Sequence, residues 1–268
     1  MAEKTQDELF EAAIQMIGGI AKLPVIRVDR EEFLRKQFAD SDYLDQVLEL
    51  GPQAVFKPEA LRRRADKIIM ASTTMSSASS FLAGLPSNPV AMVAAGGADV
   101  AQYFGFAINL AQQLAYLYGE DDLFKGTAEE VPEEVKMRIL AYLGVMLGAS
   151  GASALINQTS KTVGANLGKK VAAKPLMQTI WYPVVKKVGA LVGQTVTKKS
   201  LEKTITKIVP VIGGAISGAV TFVTFRPMGD RLADVLERNL RGEFDIMDDL
   251  ADLDPEFLAR LRAEGALS

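Results

Sequence analysis

The chain contains long stretches without any charged side chain, and these constrain its fold more than any other feature. Between Ala71 and Gly119 the only charged residue is Asp99, and neither Ile139–Ser160 nor Ile208–Phe225 contains one. Apolar surface of this extent has to be buried, either in a protein core or in a bilayer. The stretches are rich in Gly and Ala, whose small side chains let neighbouring helices approach closely. We therefore predict an all-α fold, a compact bundle of Gly- and Ala-rich helices.

The two fully uncharged stretches are 22 and 18 residues long, close to the roughly 20 residues that a helix needs to span a bilayer. Polar side chains and a proline weaken both candidates, because unsatisfied polar groups are costly in hydrocarbon. They are Ser150, Ser153, Asn157 and Gln158 in the first stretch and Pro210, Ser217 and Thr221 in the second. We favour a soluble bundle over membrane spans, and reversible binding to a membrane surface remains a third arrangement.

Several local signals mark where helices begin and end. Asp29 and Glu32 have the spacing of a helix start, and Pro58 and Pro132 suit the first turn of a helix. The long helix that contains Asp99 is expected to end near Gly119, before a polar and acidic linker.

Charge divides the chain into three segments. Residues 1–70 have the pattern of amphipathic, water-compatible helices, and residues 71–225 are predicted to form an apolar helical core. Residues 226–268 contain six Arg and eleven acidic residues and are predicted to form an acidic helical tail.

Four pairs of glycines have the spacing G-x-x-x-G, which leaves a flat patch on one face of a helix. The pairs are Gly144 with Gly148, Gly164 with Gly168, Gly189 with Gly193, and Gly214 with Gly218. We interpret them as sites of close packing within one domain, and contacts with another subunit or with a membrane are the alternative.

Ten Lys and one acidic residue lie between Lys161 and Lys207, which gives this stretch a net charge of +9. Lysines near an anionic membrane attract it, and Trp favours the level of the headgroups. The candidate membrane contacts are Lys169, Lys170, Trp181, Lys186, Lys187, Lys198 and Lys199. The alternative is a solvated helix face. Nucleic acid is disfavoured as a partner, because the stretch has no Arg and no binding motif, and the acidic tail could compete for it.

The lone Asp99 belongs to a polar stripe. On a helix, Asp99, Gln102, Asn109 and Gln113 fall within an arc of about 80°. The stripe could line a polar groove or ligand site, or it could be a hydrogen-bonded network in a buried or partly wet seam.

Catalytic chemistry is restricted, because the chain has no Cys and no His. This excludes disulfides, Cys- or His-based nucleophile arrangements and Cys/His metal sites. We predict no catalytic residue, metal or cofactor, and an enzyme would have to rely on a carboxylate such as Asp99. The start, MAEKTQDELFEAA, lacks the features of a signal peptide. We expect a cytoplasmic protein, peripheral to the inner face of the plasma membrane.

Two segments resemble the bacterial EcsC protein family. One has the sequence FLAGLPSNPVAMVAAGGADVAQYFGFAINLAQQLAYLYGEDDL and the other KIVPVIGGAISGAVTFVTFRPMGDRLADVLERN. The first is similar to the family's central region, in which small residues precede an Asp and an apolar helix closes with Tyr-Gly; these positions are Gly96, Gly97, Asp99, Tyr118 and Gly119 here. The family often has Pro soon after the Asp, where this chain has Val100 and Ala101.

The resemblance implies a bacterial protein linked to membranes, because the family is associated with an ABC transporter operon and has no established activity. The first function hypothesis is therefore a non-enzymatic protein that docks on anionic lipid and is linked to a membrane transporter. The second is a soluble helical carrier of a hydrophobic or lipid-like ligand. The third is a carboxylate-dependent enzyme.

Overall fold

The structure, a computed structural model, describes the backbone of residues 6–23, 26–73, 98–124, 131–149, 151–160, 188 and 218–243. Side chains are described for 13–23, 26–73, 104–124, 131–149, 151–156, 188 and 225–243. Within these residues 77% are helical and there is no strand, so the predicted all-α fold is confirmed.

The described part of the chain forms nine helices. They are α1 (Gln6–Ala21), α2 (Arg30–Gln37), α3 (Leu44–Leu50), α4 (Pro52–Val55), α5 (Pro58–Thr73), α6 (Ala98–Leu117), α7 (Glu133–Met146), α8 (Ala152–Ser160) and α9 (Gly218–Arg241).

The helix boundaries follow the local signals. The Asp29 side chain caps α2 by accepting a hydrogen bond of 2.7 Å from the backbone N–H of Glu32. Pro58 is the first residue of α5, and Pro132 is the N-cap of α7. Helix α6 ends just before Gly119, whose φ of 94° is one that glycine adopts readily.

Helix α7 lies at the centre of the fold. It packs against α1, α6, α8 and α9, and every residue from Met137 to Met146 is buried. A helix that is buried on all sides needs no polar face, which explains why this segment lacks an amphipathic pattern.

All three segments of the chain contribute to one hydrophobic core. Ile17 and Leu34 come from the first segment, Leu143 from the second and Leu232 from the third, and all four belong to one cluster of buried side chains. The segment boundary at residue 225 falls inside α9. Within the described residues, the three segments that differ in charge are therefore not separate packing units.

The uncharged stretch Ile139–Ser160 is not one helix. It is interrupted between α7 and α8, where Gly148 and Gly151 have φ values of 67° and 78°. The two helices pack against each other. Among the described residues, no helix combines the length and the apolarity needed to cross a membrane.

Candidate functional site

A groove of about 410 Å³ lies between α2, α5, α6 and α9. Its volume is within the range of about 300 to 1,000 Å³ that is typical of small-molecule pockets. The polar and basic residues that line it are Lys36, Gln37, Lys67, Ser72, Asn109 and Gln113. The apolar ones are Ile68, Ala71, Phe106 and Phe225.

The apolar side of the groove is formed where α5, α6 and α9 meet. The rings of Phe106 and Phe225 contact each other edge to face, with their centroids 6.0 Å apart. Ile68 is buried beside them, only 4% exposed. These side chains give the groove a surface suited to hydrocarbon.

Two lysines supply the charge of the groove. Lys36 lies in the last turn of α2 and Lys67 in α5, and both are exposed. Neither forms an ion pair with another residue that the structure describes. The groove therefore offers two ammonium groups beside an apolar surface.

The neighbouring Gln37 is held by an arginine of α5. The Arg64 guanidinium donates a hydrogen bond of 2.6 Å to the Gln37 backbone carbonyl. It also lies over the Phe38 ring, 4.3 Å from the centroid. These contacts fix the end of α2, which places Lys36 and Gln37 at the groove.

Two members of the predicted polar stripe meet at the groove. Gln113 donates a hydrogen bond of 2.7 Å to Asn109 Oδ1, and Asn109 in turn donates one of 3.2 Å to the Ile26 carbonyl. Asp99 and Gln102 belong to the same helix, α6, but their side chains lie outside the described ones. Asn109 and Gln113 are thus hydrogen-bonded to each other and also line the groove.

Sequence reasoning missed Gln112, which is completely buried. It accepts a hydrogen bond of 3.0 Å from the Val28 N–H and donates one of 2.8 Å to the Ile26 carbonyl. Gln112 thereby attaches the segment between α1 and α2 to α6. It lies about 100° away from Gln113 on the helix, among apolar residues, and no pattern singles it out.

A second ionisable cluster is buried in the core. The Arg138 guanidinium pairs with the Glu120 carboxylate, and the two side chains are only 5% and 11% exposed. Burial opposes the charge of Arg138, but Tyr142 and the carboxylates of Glu120 and Glu134 raise its pKa. Burial also raises the pKa of Tyr142. Because solvent reaches little of this cluster, we assign it a structural role.

A third cluster joins α5 to α9. Arg62 forms ion pairs with Asp66 in its own helix and with Asp230 and Asp234 in α9. Burial raises the pKa of Asp230, although Arg62 opposes this shift. The described residues contain no group of three or more Asp or Glu side chains that could hold a metal ion. This cluster fastens two helices that form the groove.

The glycine prediction is wrong for the pair Gly144 and Gly148. Gly144 is buried in α7, whereas Gly148 lies two residues beyond the end of that helix. The Ala149 N–H donates to the Gly144 carbonyl at 2.8 Å, and Gly148 takes the left-handed conformation that closes the helix. Gly148 therefore ends a helix and does not form a flat face with Gly144.

Of the other predicted glycines and membrane contacts, one lies within the described residues. Gly218 is the first residue of α9. The remaining ones lie outside the described residues: Gly164, Gly168, Lys169, Lys170, Trp181, Lys186, Lys187, Gly189, Gly193, Lys198, Lys199 and Gly214.

Comparisons of the chain with protein-family models, with curated proteins and with solved structures gave no match. The resemblance to the EcsC family therefore depends on the sequence segments quoted above.

Proposed function

We propose that the protein binds lipids with an anionic headgroup at a membrane surface, and that one such molecule enters the groove. The observation that carries this proposal is the combination of Lys36 and Lys67 with the apolar surface of Ile68, Phe106 and Phe225. An acyl chain suits the apolar side, and a phosphate or carboxylate suits two ammonium groups.

The composition of residues 161–207 supports docking on the membrane itself. Its net charge of +9 favours an anionic surface, since each lysine near such a surface contributes on the order of 1 kcal/mol. In this proposal the Lys-rich stretch brings the protein to the bilayer, and the groove binds an individual lipid. The EcsC resemblance makes a bacterial membrane transporter the first protein partner to test.

A soluble carrier is the second candidate, and the groove favours it as well. A carrier would bind a dispersed single-chain lipid but would show little affinity for intact vesicles. The two candidates therefore differ in how binding depends on the form in which the lipid is presented.

The first prediction concerns the charge of the groove. Replacing Lys36 and Lys67 together by Gln should weaken binding of lysophosphatidic acid about tenfold or more, because two favourable charge contacts are lost. Binding of the uncharged monoacylglycerol with the same chain should change little. Isothermal titration calorimetry with both lipids below their critical micelle concentrations measures the two affinities.

The matched control replaces Lys22 and Lys57 by Gln, because both are exposed and neither lines the groove. Equal affinities in the two double variants would reject the groove as the lipid site. Cosedimentation with anionic and neutral vesicles at low and high salt then separates the candidates. Salt-sensitive binding to anionic vesicles supports docking, and binding of dispersed lipid alone supports a carrier.

A further inference from the structure

The oxygen of the Gln113 carboxamide has no partner in the described part of the chain. Gln113 lines the groove and is partly exposed, and among the described residues its side chain forms one hydrogen bond, which its nitrogen donates to Asn109. Gln113 Oε1 accepts no hydrogen bond from a described residue, and it is not one of the buried atoms that lack a partner, so solvent reaches it. The groove therefore contains an accessible hydrogen-bond acceptor.

A chain of hydrogen bonds decides which end of this carboxamide is the oxygen. The Ile26 backbone carbonyl can only accept, so the Asn109 atom that lies 3.2 Å from it has to be the amide nitrogen. Asn109 Oδ1 is then the atom that faces Gln113, and an oxygen has to be paired with a donor. The Gln113 atom 2.7 Å away is therefore its nitrogen, which leaves Oε1 as the accessible end.

This acceptor is separated from the aromatic part of the groove. Phe106, Asn109 and Gln113 line the groove from one side of α6, within an arc of about 60°. Gln113 is about 10 Å from Phe106 along the helix axis, and Phe106 is the residue that contacts Phe225. A lipid whose chain covers the two aromatic rings would therefore place its headgroup beside Gln113.

The charge of the groove restricts the donor that this acceptor can bind. In a lipid headgroup, the donor is either an ammonium group or a hydroxyl. Lys36 and Lys67 line the same groove, and their positive charges repel an ammonium group but attract a phosphate. A neutral hydroxyl on an alcohol esterified to a phosphate therefore suits both lysines and Gln113.

We propose that Gln113 determines headgroup specificity by accepting a hydrogen bond from a headgroup hydroxyl. The groove then prefers an anionic phosphodiester of a polyol such as glycerol over an anionic phosphodiester without hydroxyls. Lys36 and Lys67 bind the phosphate, and Asn109 is a positioning residue, because it orients the Gln113 carboxamide. This inference rests on the proposed lipid groove and names the headgroup that the groove takes.

The test uses the full chain and two lysolipids, lysophosphatidylglycerol and lysophosphatidylpropanol. With the same acyl chain they have the same charge, and the propanol ester lacks the headgroup hydroxyls. Isothermal titration calorimetry below both critical micelle concentrations should show about three- to tenfold tighter binding of the glycerol ester, the effect of one added hydrogen bond. Gln113→Met keeps the length of the side chain but removes the acceptor, so it should weaken binding of the glycerol ester until this ratio is about one. Asn109→Ala should also lower the ratio, because the carboxamide is then no longer oriented.

The matched control is Gln46→Met, since Gln46 is an exposed carboxamide outside the groove. It should keep the preference of the unmodified protein, and thermal unfolding checks that every variant is folded. The inference is overturned if the unmodified protein binds both lysolipids equally, or if both groove variants keep the full preference. Equally tight binding of lysophosphatidylethanolamine would also overturn it, because the groove would then accept an ammonium donor.

Failure of this inference can be distinguished from failure of the lipid groove. If the two lysolipids bind equally and replacing Lys36 and Lys67 by Gln weakens both, the groove still binds anionic lipid and only the role of Gln113 is wrong. If neither lysolipid binds, the proposed groove and the inference that rests on it are both wrong.

Discussion

At the scale of single residues, Gln112 shows how a buried polar side chain can be structural and yet sit beside a candidate site. Its carboxamide satisfies the Val28 N–H and the Ile26 carbonyl, and it also donates to Ile108 in its own helix at 3.0 Å. Such groups have to be paired, because an unpaired buried amide costs about 1 to 3 kcal/mol. The next residue, Gln113, faces the groove and has only Asn109 as a side-chain partner among the described residues.

We therefore expect unequal effects of the same substitution at these two positions. Gln112→Leu should lower the free energy of unfolding by about 1 to 3 kcal/mol, because it leaves the Val28 N–H without its partner and removes one of the two side-chain hydrogen bonds to the Ile26 carbonyl. Gln113→Leu should cost less than about 1 kcal/mol, since that side chain is partly exposed. Urea unfolding followed by circular dichroism measures both. Equal losses would contradict the assignment of Gln112 as the structural residue.

At the scale of helices, the sequence predicted where several helices start and where α6 ends, but not the interruption inside the charge-free stretch Ile139–Ser160. Asp29 and Pro58 act locally, so their effects can be predicted without knowing the fold. Inside a charge-free stretch, solvent imposes no periodic pattern, so the breaks at Gly148 and Gly151 leave no distinctive signal. The groove was equally hidden, because it depends on how α2 and α9 meet α5 and α6. Only the α6 side of it, Asn109 and Gln113, followed from helical spacing.

A close contact between two helices at a glycine was also missed, because it depends on a residue in another helix. Gly229 of α9 faces Ile69 of α5, and a Cβ at Gly229 would lie 2.8 Å from Ile69 Cγ1. Gly229→Ala should therefore destabilise the protein by about 1 to 3 kcal/mol. Gly19→Ala in α1 is the matched control, since a Cβ there meets nothing within 4 Å. It should stabilise by about 0.5 to 1 kcal/mol. Thermal unfolding of the pair tests this, and a stabilising Gly229→Ala would refute the close contact of α5 with α9.

At the scale of the whole molecule, one core contains three nearly buried tyrosines. Tyr116 and Tyr142 are at most 1% exposed, and Tyr118 is 6% exposed. Tyr116 also holds the turn after α6, because its hydroxyl accepts a hydrogen bond of 3.1 Å from the Leu123 N–H. Burial raises the pKa of all three. The folded state therefore keeps protons that the unfolded chain would release in alkaline solution.

Because the folded protein retains these protons, we expect its stability to depend on pH in alkaline solution. An unfolded tyrosine loses its proton near pH 10, whereas the three buried ones stay protonated in the folded protein at that pH. The folded state then binds more protons than the unfolded state, so stability falls as pH rises above about 10. Each tyrosine contributes up to about 1.4 kcal/mol per pH unit. Urea unfolding between pH 8 and 11 should show this slope, and Tyr142→Phe should reduce it by about one proton. The prediction fails if absorbance at 295 nm shows all six tyrosines ionising near pH 10 while the far-ultraviolet circular dichroism remains that of the folded protein.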